Sequence, residues 1–184
     1  MVFIVGDIKD KKYDLLIRYL YTKCKKITFF ITDFSIKLDK ANITKYHFGK
    51  PIVNLDEHEL NPSFLEYINL IEKKVPITMK NVIRKYFDFK YPHTVSDRLI
   101  LVYEIEFTEE VLYELTNINR DLYSFNYPDL PEDICFYSED RILVSTICHE
   151  EECVIEMHED ETVSDLIKTN EFAESDFIYR KDIY

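Results

Sequence analysis

Residues 134–158 read ICFYSEDRILVSTICHEEECVIEMH. Three short runs rich in β-branched and aromatic residues are separated by Glu139-Asp140 and by Glu150-Glu151, the pattern of strands joined by turns. Two-residue turns set Tyr137 opposite Ile142 and Cys148 opposite Cys153. Because side chains alternate across a strand, Cys135, Tyr137, Ile142, Val144, Thr146, Cys148, Cys153, Ile155 and Met157 then share one face. That face carries no charge and is expected to meet the core. The other mixes Phe136, Leu143, Ile147 and Val154 with Ser145, His149, Glu156 and His158. An antiparallel three-stranded meander is the expectation, and the rest of the chain has to supply what covers it.

Upstream, Arg98 to Phe107 is the clearest long strand, with Leu99, Leu101, Tyr103, Ile105 and Phe107 on one side and Glu104 and Glu106 marking a wet end on the other. Thr108 is placed to cap a helix whose first turn holds Glu109 and Glu110 and whose apolar side is Val111, Leu112 and Leu115. A polar loop from Asn117 to Asp129 leads into the meander. Val2 to Val5 and Ile27 to Thr32 read as strands, and between them Tyr13, Leu16, Ile17, Leu20 and Cys24 recur at helical spacing. Residues 35–58 fit a hairpin turning near Gly49 and Pro51. Asn61 as N-cap with Pro62 behind it predicts a helix with Phe64, Leu65, Ile68 and Ile71 inward. A second short helix is expected from Met79 to Phe87, with Met79, Val82, Ile83 and Tyr86 inward and Lys80, Arg84 and Lys85 outward. Thr162 and Asp165 resemble a capping box ahead of Leu166 and Ile167. These elements describe an α+β fold: an antiparallel or mixed sheet with a C-terminal meander and helices packed on one face. The chain reads as one domain over 1–184, with 1–95 and 96–184 as its alternative division into lobes.

Composition narrows the function. With 46% hydrophobic residues, 13 Phe and 14 Tyr among 184, the chain can bury a core and is not globally disordered. Its two glycines, Gly6 and Gly49, cannot build a phosphate-cradling loop, which removes Walker-type hydrolases and dinucleotide-binding folds. Met1 to Val5 is too short for a signal-peptide core, and no apolar run approaches the roughly 20 residues of a membrane span. A cytoplasmic protein with no membrane partner is the expectation, its four cysteines, Cys24, Cys135, Cys148 and Cys153, reduced. The charge is split. Residues 1–100 hold 18 Lys+Arg against 12 Asp+Glu, residues 101–184 hold 5 against 23, and the whole is −12. Such asymmetry bears on partners and encounter rates rather than on fold.

Strand reversal in the meander gathers acids at opposite ends of the sheet. Glu150, Glu151 and Glu152 lie at one end, with Glu132 and Asp133 leading toward it, while Glu139 and Asp140 lie at the other beside Glu159, Asp160 and Glu161. Either these are solvated turns and helix starts, or they are surfaces that bind a basic partner. Catalytic readings are weaker. Cys148, Cys153, His149 and His158 lack a CxxC pair, and alternation turns His149 away from both thiols, so no metal or cofactor is expected. Ser145, His149 and Glu156 share a face, but four strand residues separate Ser145 from His149 by about 13 Å, beyond hydrogen-bond reach. The basic clusters Lys23, Lys25, Lys26 and Lys80, Arg84, Lys85 lack the strong one-sided excess of a nucleic-acid protein and read as solvated faces, or as contacts to the acidic half within the chain or in a homo-oligomer.

The segment PDLPEDICFY at 128–137, followed by STICHE at 145–150, resembles a family of small, functionally uncharacterised bacterial proteins with a Leu-Pro-Glu-Asp strand start and a Ser/Thr-x-x-x-His-Glu strand end. Small acidic proteins of this kind resemble immunity proteins of bacterial toxin systems. The resemblance implies a non-enzymatic immunity or inhibitor protein and brings no active-site residues with it. The acidic clusters themselves supply the candidate surface for a basic partner: Glu132, Asp133, His149, Glu150, Glu151, Glu152, Glu159, Asp160 and Glu161. A hydrolase or metal-dependent enzyme using His149 and Glu150, and a self-associating structural module, are the other two readings.

Overall fold

A computed structural model describes residues 1–37, 62–92, 94–118, 120–156 and 159–179. In chain order the elements are β1 (Val2–Ile4), α1 (Asp10–Lys23), β2 (Lys26–Lys37), α2 (Pro62–Lys74), α3 (Pro76–Lys80), β3 (Val82–Tyr91), β4 (Thr94–Glu106), α4 (Glu109–Ile118), β5 (Glu132–Ser138), β6 (Arg141–Ile147), β7 (Glu152–Ile155), α5 (Glu159–Ile167) and β8 (Phe177–Tyr179). The strands form one eight-stranded sheet in the order β3-β4-β2-β5-β6-β7-β1-β8. Every pairing is antiparallel. The fold is α+β, and its sheet takes strands from both sides of residue 95. The hairpin expected over 35–58 and the cap at Asn61 lie outside the described residues. Among the described residues no helix is long and apolar enough to cross a membrane.

The strand faces sort the core. From β2, Ile27, Phe29 and Ile31 join Leu99, Leu101, Tyr103 and Ile105 of β4 in the main core, together with the apolar stripes of the helices: Tyr13, Leu16, Ile17 and Leu20 of α1, Phe64, Ile68 and Ile71 of α2, Val111, Leu112 and Leu115 of α4, and Val163 and Leu166 of α5. The helices therefore cover one side of the sheet. The alternate residues Phe30, Ile100, Val102 and Cys135 form a smaller cluster with Tyr91 on the other side. Local chemistry ends the helices where expected: Thr108 Oγ1 accepts from Val111 N at 3.3 Å, capping α4. Glu114, on the buried side of α4, accepts from the N–H groups of Ile77 at 2.9 Å and Thr78 at 2.6 Å, giving the first turn of α3 the partners a helix start lacks.

Four expectations are corrected. The helix expected over Met79–Phe87 stops at Lys80, and β3 begins at Val82. Its β-branched and aromatic residues fit a pleated surface, and the ladder to β4 overrides the helical spacing. In the meander, Tyr137 does pair with Ile142, but the register slips between Phe136 and Tyr137, where Leu143 is the extra residue, so Phe136 pairs with Val144. Phe136 and Val144 therefore face the main core, while Cys135 and Tyr137 pack on the opposite cluster. Cys153 lies opposite Thr146 rather than Cys148, because β6 ends at Ile147 and Cys148–Glu150 form a 3₁₀ turn. Finally, α5 starts at Glu159, which puts Thr162 inside the helix rather than at its cap.

Phe136 is fully buried, with its ring 5.6 Å from that of Phe107. Phe136→Ala is expected to lower the unfolding free energy by about 3–5 kcal/mol, measured by urea denaturation. A loss below about 1 kcal/mol would contradict its place in the main core.

Candidate functional site

The end of the sheet where β5 starts, β6 stops and β7 begins is held by side chains standing in for ladder hydrogen bonds. Beyond the pair Cys135–Ser145, the next residues, Ile134 and Thr146, do not exchange backbone bonds. Instead the Thr146 hydroxyl accepts from Ile134 N at 2.9 Å and donates to Ile134 O at 3.1 Å, taking the place of a backbone partner. Asp133, only 4% exposed, serves the next segment: its Oδ1 accepts from Cys148 N at 2.6 Å and so pins the 3₁₀ turn to the start of β5. Glu132 Oε1 accepts from Thr32 N at 3.1 Å, where β2 runs past its last pairing with β5.

These bonds separate the expected site residues into two kinds. Asp133 and Glu132 are committed to the fold. His149 and Glu150 stand on the turn with more than half of each side chain exposed, their Nε2 and Oε1 3.7 Å apart. Glu151 is exposed in left-handed conformation (φ 54), and Glu152 is half-buried opposite Ile147 at the start of β7. Glu159, Asp160 and Glu161 form the first turn of α5; His158 lies outside the described residues. Glu139 and Asp140 turn the chain between β5 and β6, at the opposite end from His149. Aromatic surface borders the acidic end: Tyr67 lies by Glu132 and meets Tyr127, ring centroids 5.1 Å apart, and Tyr127 is 47% exposed.

Burial raises the carboxyls of both Glu132 and Asp133 above their ordinary values, and the N–H donors and nearby His149 offset part of that. Burial likewise pushes the thiols of Cys24 and Cys135 up to about 12 and those of Cys148 and Cys153 higher still. Cys148 Sγ lies 3.3 Å from Thr146 Oγ1 and 3.5 Å from Leu122 O, inside the core. Among the described residues no group of three His, Cys, Asp or Glu is placed to hold a metal. Ser145 is fully buried and donates to Glu156 Oε1 at 3.1 Å, so two of the three residues on that face do meet. His149 is carried off by the turn.

Several acids of the C-terminal half are answered by lysines of the N-terminal half. Lys12 meets Asp176 at 2.8 Å, Lys74 meets Asp129 at 3.3 Å, Lys9 meets Asp121 at 3.5 Å and Lys23 meets Asp165 at 3.8 Å. The charge split is thus partly neutralised within the chain, while the turn at 149–151 faces solvent, as do Glu109-Glu110 and Glu139-Asp140. The Thr146 bonds to Ile134 and the pin of Asp133 escaped the sequence reading. The only sequence signal for them is polar residues at positions that alternation assigns to a core. Comparison of the chain with known protein families, curated proteins and solved structures finds no match.

Two outcomes follow from the burial of these groups. A carboxyl raised in the folded chain keeps its proton where the unfolded chain has lost it, so its contribution to stability falls as pH climbs from its ordinary value through the raised one. Glu132→Gln, which retains an acceptor for Thr32, should gain on the parent chain in urea midpoints as pH climbs above the ordinary glutamate value of about 4; a difference independent of pH would contradict the burial. Separately, a thiol reagent at about pH 8 should find no fast-reacting cysteine in the folded protein and four in denaturant, since only thiolates react.

Proposed function

We propose that this chain is a non-enzymatic binding protein, an immunity or inhibitor protein that neutralises a basic partner such as a bacterial toxin in the cytoplasm. The observation that supports this reading most is the turn His149-Glu150-Glu151: its carboxylates project into solvent from a segment anchored by the buried Asp133–Cys148 bond. A rigid acidic turn loses little conformational freedom on binding, and its charge steers a basic surface toward it. Tyr127, half-exposed next to Tyr67, supplies the kind of amphipathic aromatic surface that anchors protein interfaces. A toxin that handles RNA or DNA requires a basic cleft for phosphates, and a fixed pair of carboxylates competes for that cleft. Glu152 at the edge of the same turn extends the surface; the second acidic cluster of the sequence, Glu159, Asp160 and Glu161, falls in the first turn of α5. No observation favours the enzymatic reading over this one: His149 is parted from the Ser145–Glu156 pair.

The test is kinetic. A basic partner retained on the immobilised chain at low salt is identified, and its association rate is measured with the parent chain and with Glu150→Lys/Glu151→Lys. The rate is expected to drop about tenfold in the variant at low salt and to lose much of its salt dependence. An unchanged rate and salt slope would overturn the assignment to this turn.

A further inference from the structure

Among the described strands, the sheet ends in two edges of unequal kind. β8 is a three-residue strand, whereas β3 spans ten residues and pairs only with β4 among the described strands. Unpaired edges are templates for another strand, and proteins blunt them with short strands, prolines or projecting lysines. β3 contains no proline. Of its two lysines, Lys90 lies opposite Val95 beyond the regular part of the ladder, and Lys85 is turned toward the helices: Nζ meets Glu72 Oε1 at 2.6 Å and lies 5.0 Å from the centre of the Tyr103 ring. Ile83, at the start of the strand, is 60% exposed.

The ladder to β4 is regular from Arg84 to Asp88 and slips on either side of that stretch. Within it, Arg84, Tyr86 and Asp88 share one face and Lys85 and Phe87 the other. Two copies of one strand can pair antiparallel only in certain registers. Opposed residues either both turn their backbone groups toward the partner or both turn them away, and this orientation alternates along the strand, so a self-pairing must be centred on a residue. Centring on Arg84, Lys85 or Asp88 stacks that charge on itself. Centring on Phe87 overlaps only part of the regular stretch. Centring on Tyr86 overlaps all of it, and sets Arg84 of each copy opposite Asp88 of the other. Arg84 also lies opposite Glu104 within its own sheet and over the Tyr86 ring at 4.8 Å, so it would stand between two carboxylates.

We propose that β3 is the interface of a homodimer, in which two copies join antiparallel about a two-fold axis at Tyr86 and the two sheets become one, held in register by two Arg84–Asp88 pairs. The occupant of the edge is a second copy because the charge order along β3 is complementary to itself in that one register. An interface of this size is weak, with a dissociation constant on the order of 10–100 μM.

Sedimentation equilibrium of the full chain at low salt tests it. The parent chain should be dimeric at the upper end of that range. Arg84→Asp places Asp opposite Asp and Asp88→Arg places Arg opposite Arg, so each variant alone should remain monomeric. An equimolar mixture of the two restores both charge pairs and should form a heterodimer. A parent chain monomeric at concentrations on the order of 500 μM, well above that range, would overturn the proposal. So would single variants that dimerise as the parent does, or folded variants that fail to associate when mixed. If circular dichroism shows a reversal variant unfolded, Arg84→Gln and Asp88→Asn replace it. Each is then expected to raise the dissociation constant about tenfold, and an unchanged constant would overturn the proposal equally.

Discussion

The burial of residues 27–32 of β2, enclosed on both faces, is the constraint on which the rest of the structure depends. Its backbone is paired to β4 on one side and β5 on the other, which is what joins the two halves of the chain into one sheet. Its side chains divide between the helix-covered core, through Ile27, Phe29 and Ile31, and the smaller cluster around Phe30. A strand so enclosed cannot leave a polar atom without a partner. Thr28 shows how this is met: its hydroxyl lies 2.7 Å from that of Tyr91, which also donates to Asp133 O at 3.1 Å. The Tyr91 ring packs on Phe30 with centroids 4.6 Å apart. One tyrosine from the end of β3 thereby ties the outer hairpin to β2 and to the start of β5.

The same demand for satisfied backbone groups shapes the acidic end. Where the β5–β6 ladder stops, Thr146 and Asp133 take over its hydrogen bonds, and Glu132 serves β2. Carboxylates used in this way are lost to any partner, whereas Glu150 and Glu151, two and three residues after the pinned Cys148, are exposed. The ion pairs between the halves act similarly on the charge balance. Exposed pairs of this kind contribute about 0–1 kcal/mol each, so their importance is less to stability than to which acids remain for binding.

Legibility in the sequence followed the number of residues that repeat a signal. The helices α1, α2 and α4 each show three or four apolar residues at steps of three and four, and the β4 strand alternates over nine residues; all lie where periodicity puts them. The Thr108 cap was legible because its chemistry is local. The stretch from Met79 to Phe87 was not, since Met79, Val82, Ile83 and Tyr86 satisfy a helical stripe as well as a strand, and only the presence of β4 alongside settles the matter. The bulge at Leu143 was equally hidden: one extra residue reverses the face of everything before it, moving Cys135 and Tyr137 away from the main core and Phe136 into it. Of the candidate site, the gathering of acids at one end followed from strand reversal alone, but which of them face solvent did not.

The sequence by itself determined the α+β class, the meander and its turn at Glu139-Asp140, most helices, and the unequal charge of the two halves. These depend on propensity, periodicity and composition, which act between near neighbours. The tertiary structure alone decided the sheet order, the register of β5 on β6, the conversion of a helical stripe into β3, and the division of carboxylates into structural and exposed. Each of those depends on which hydrogen bonds form between separate elements, where a shift of one position exchanges the two faces of a strand and no local pattern records which shift occurs.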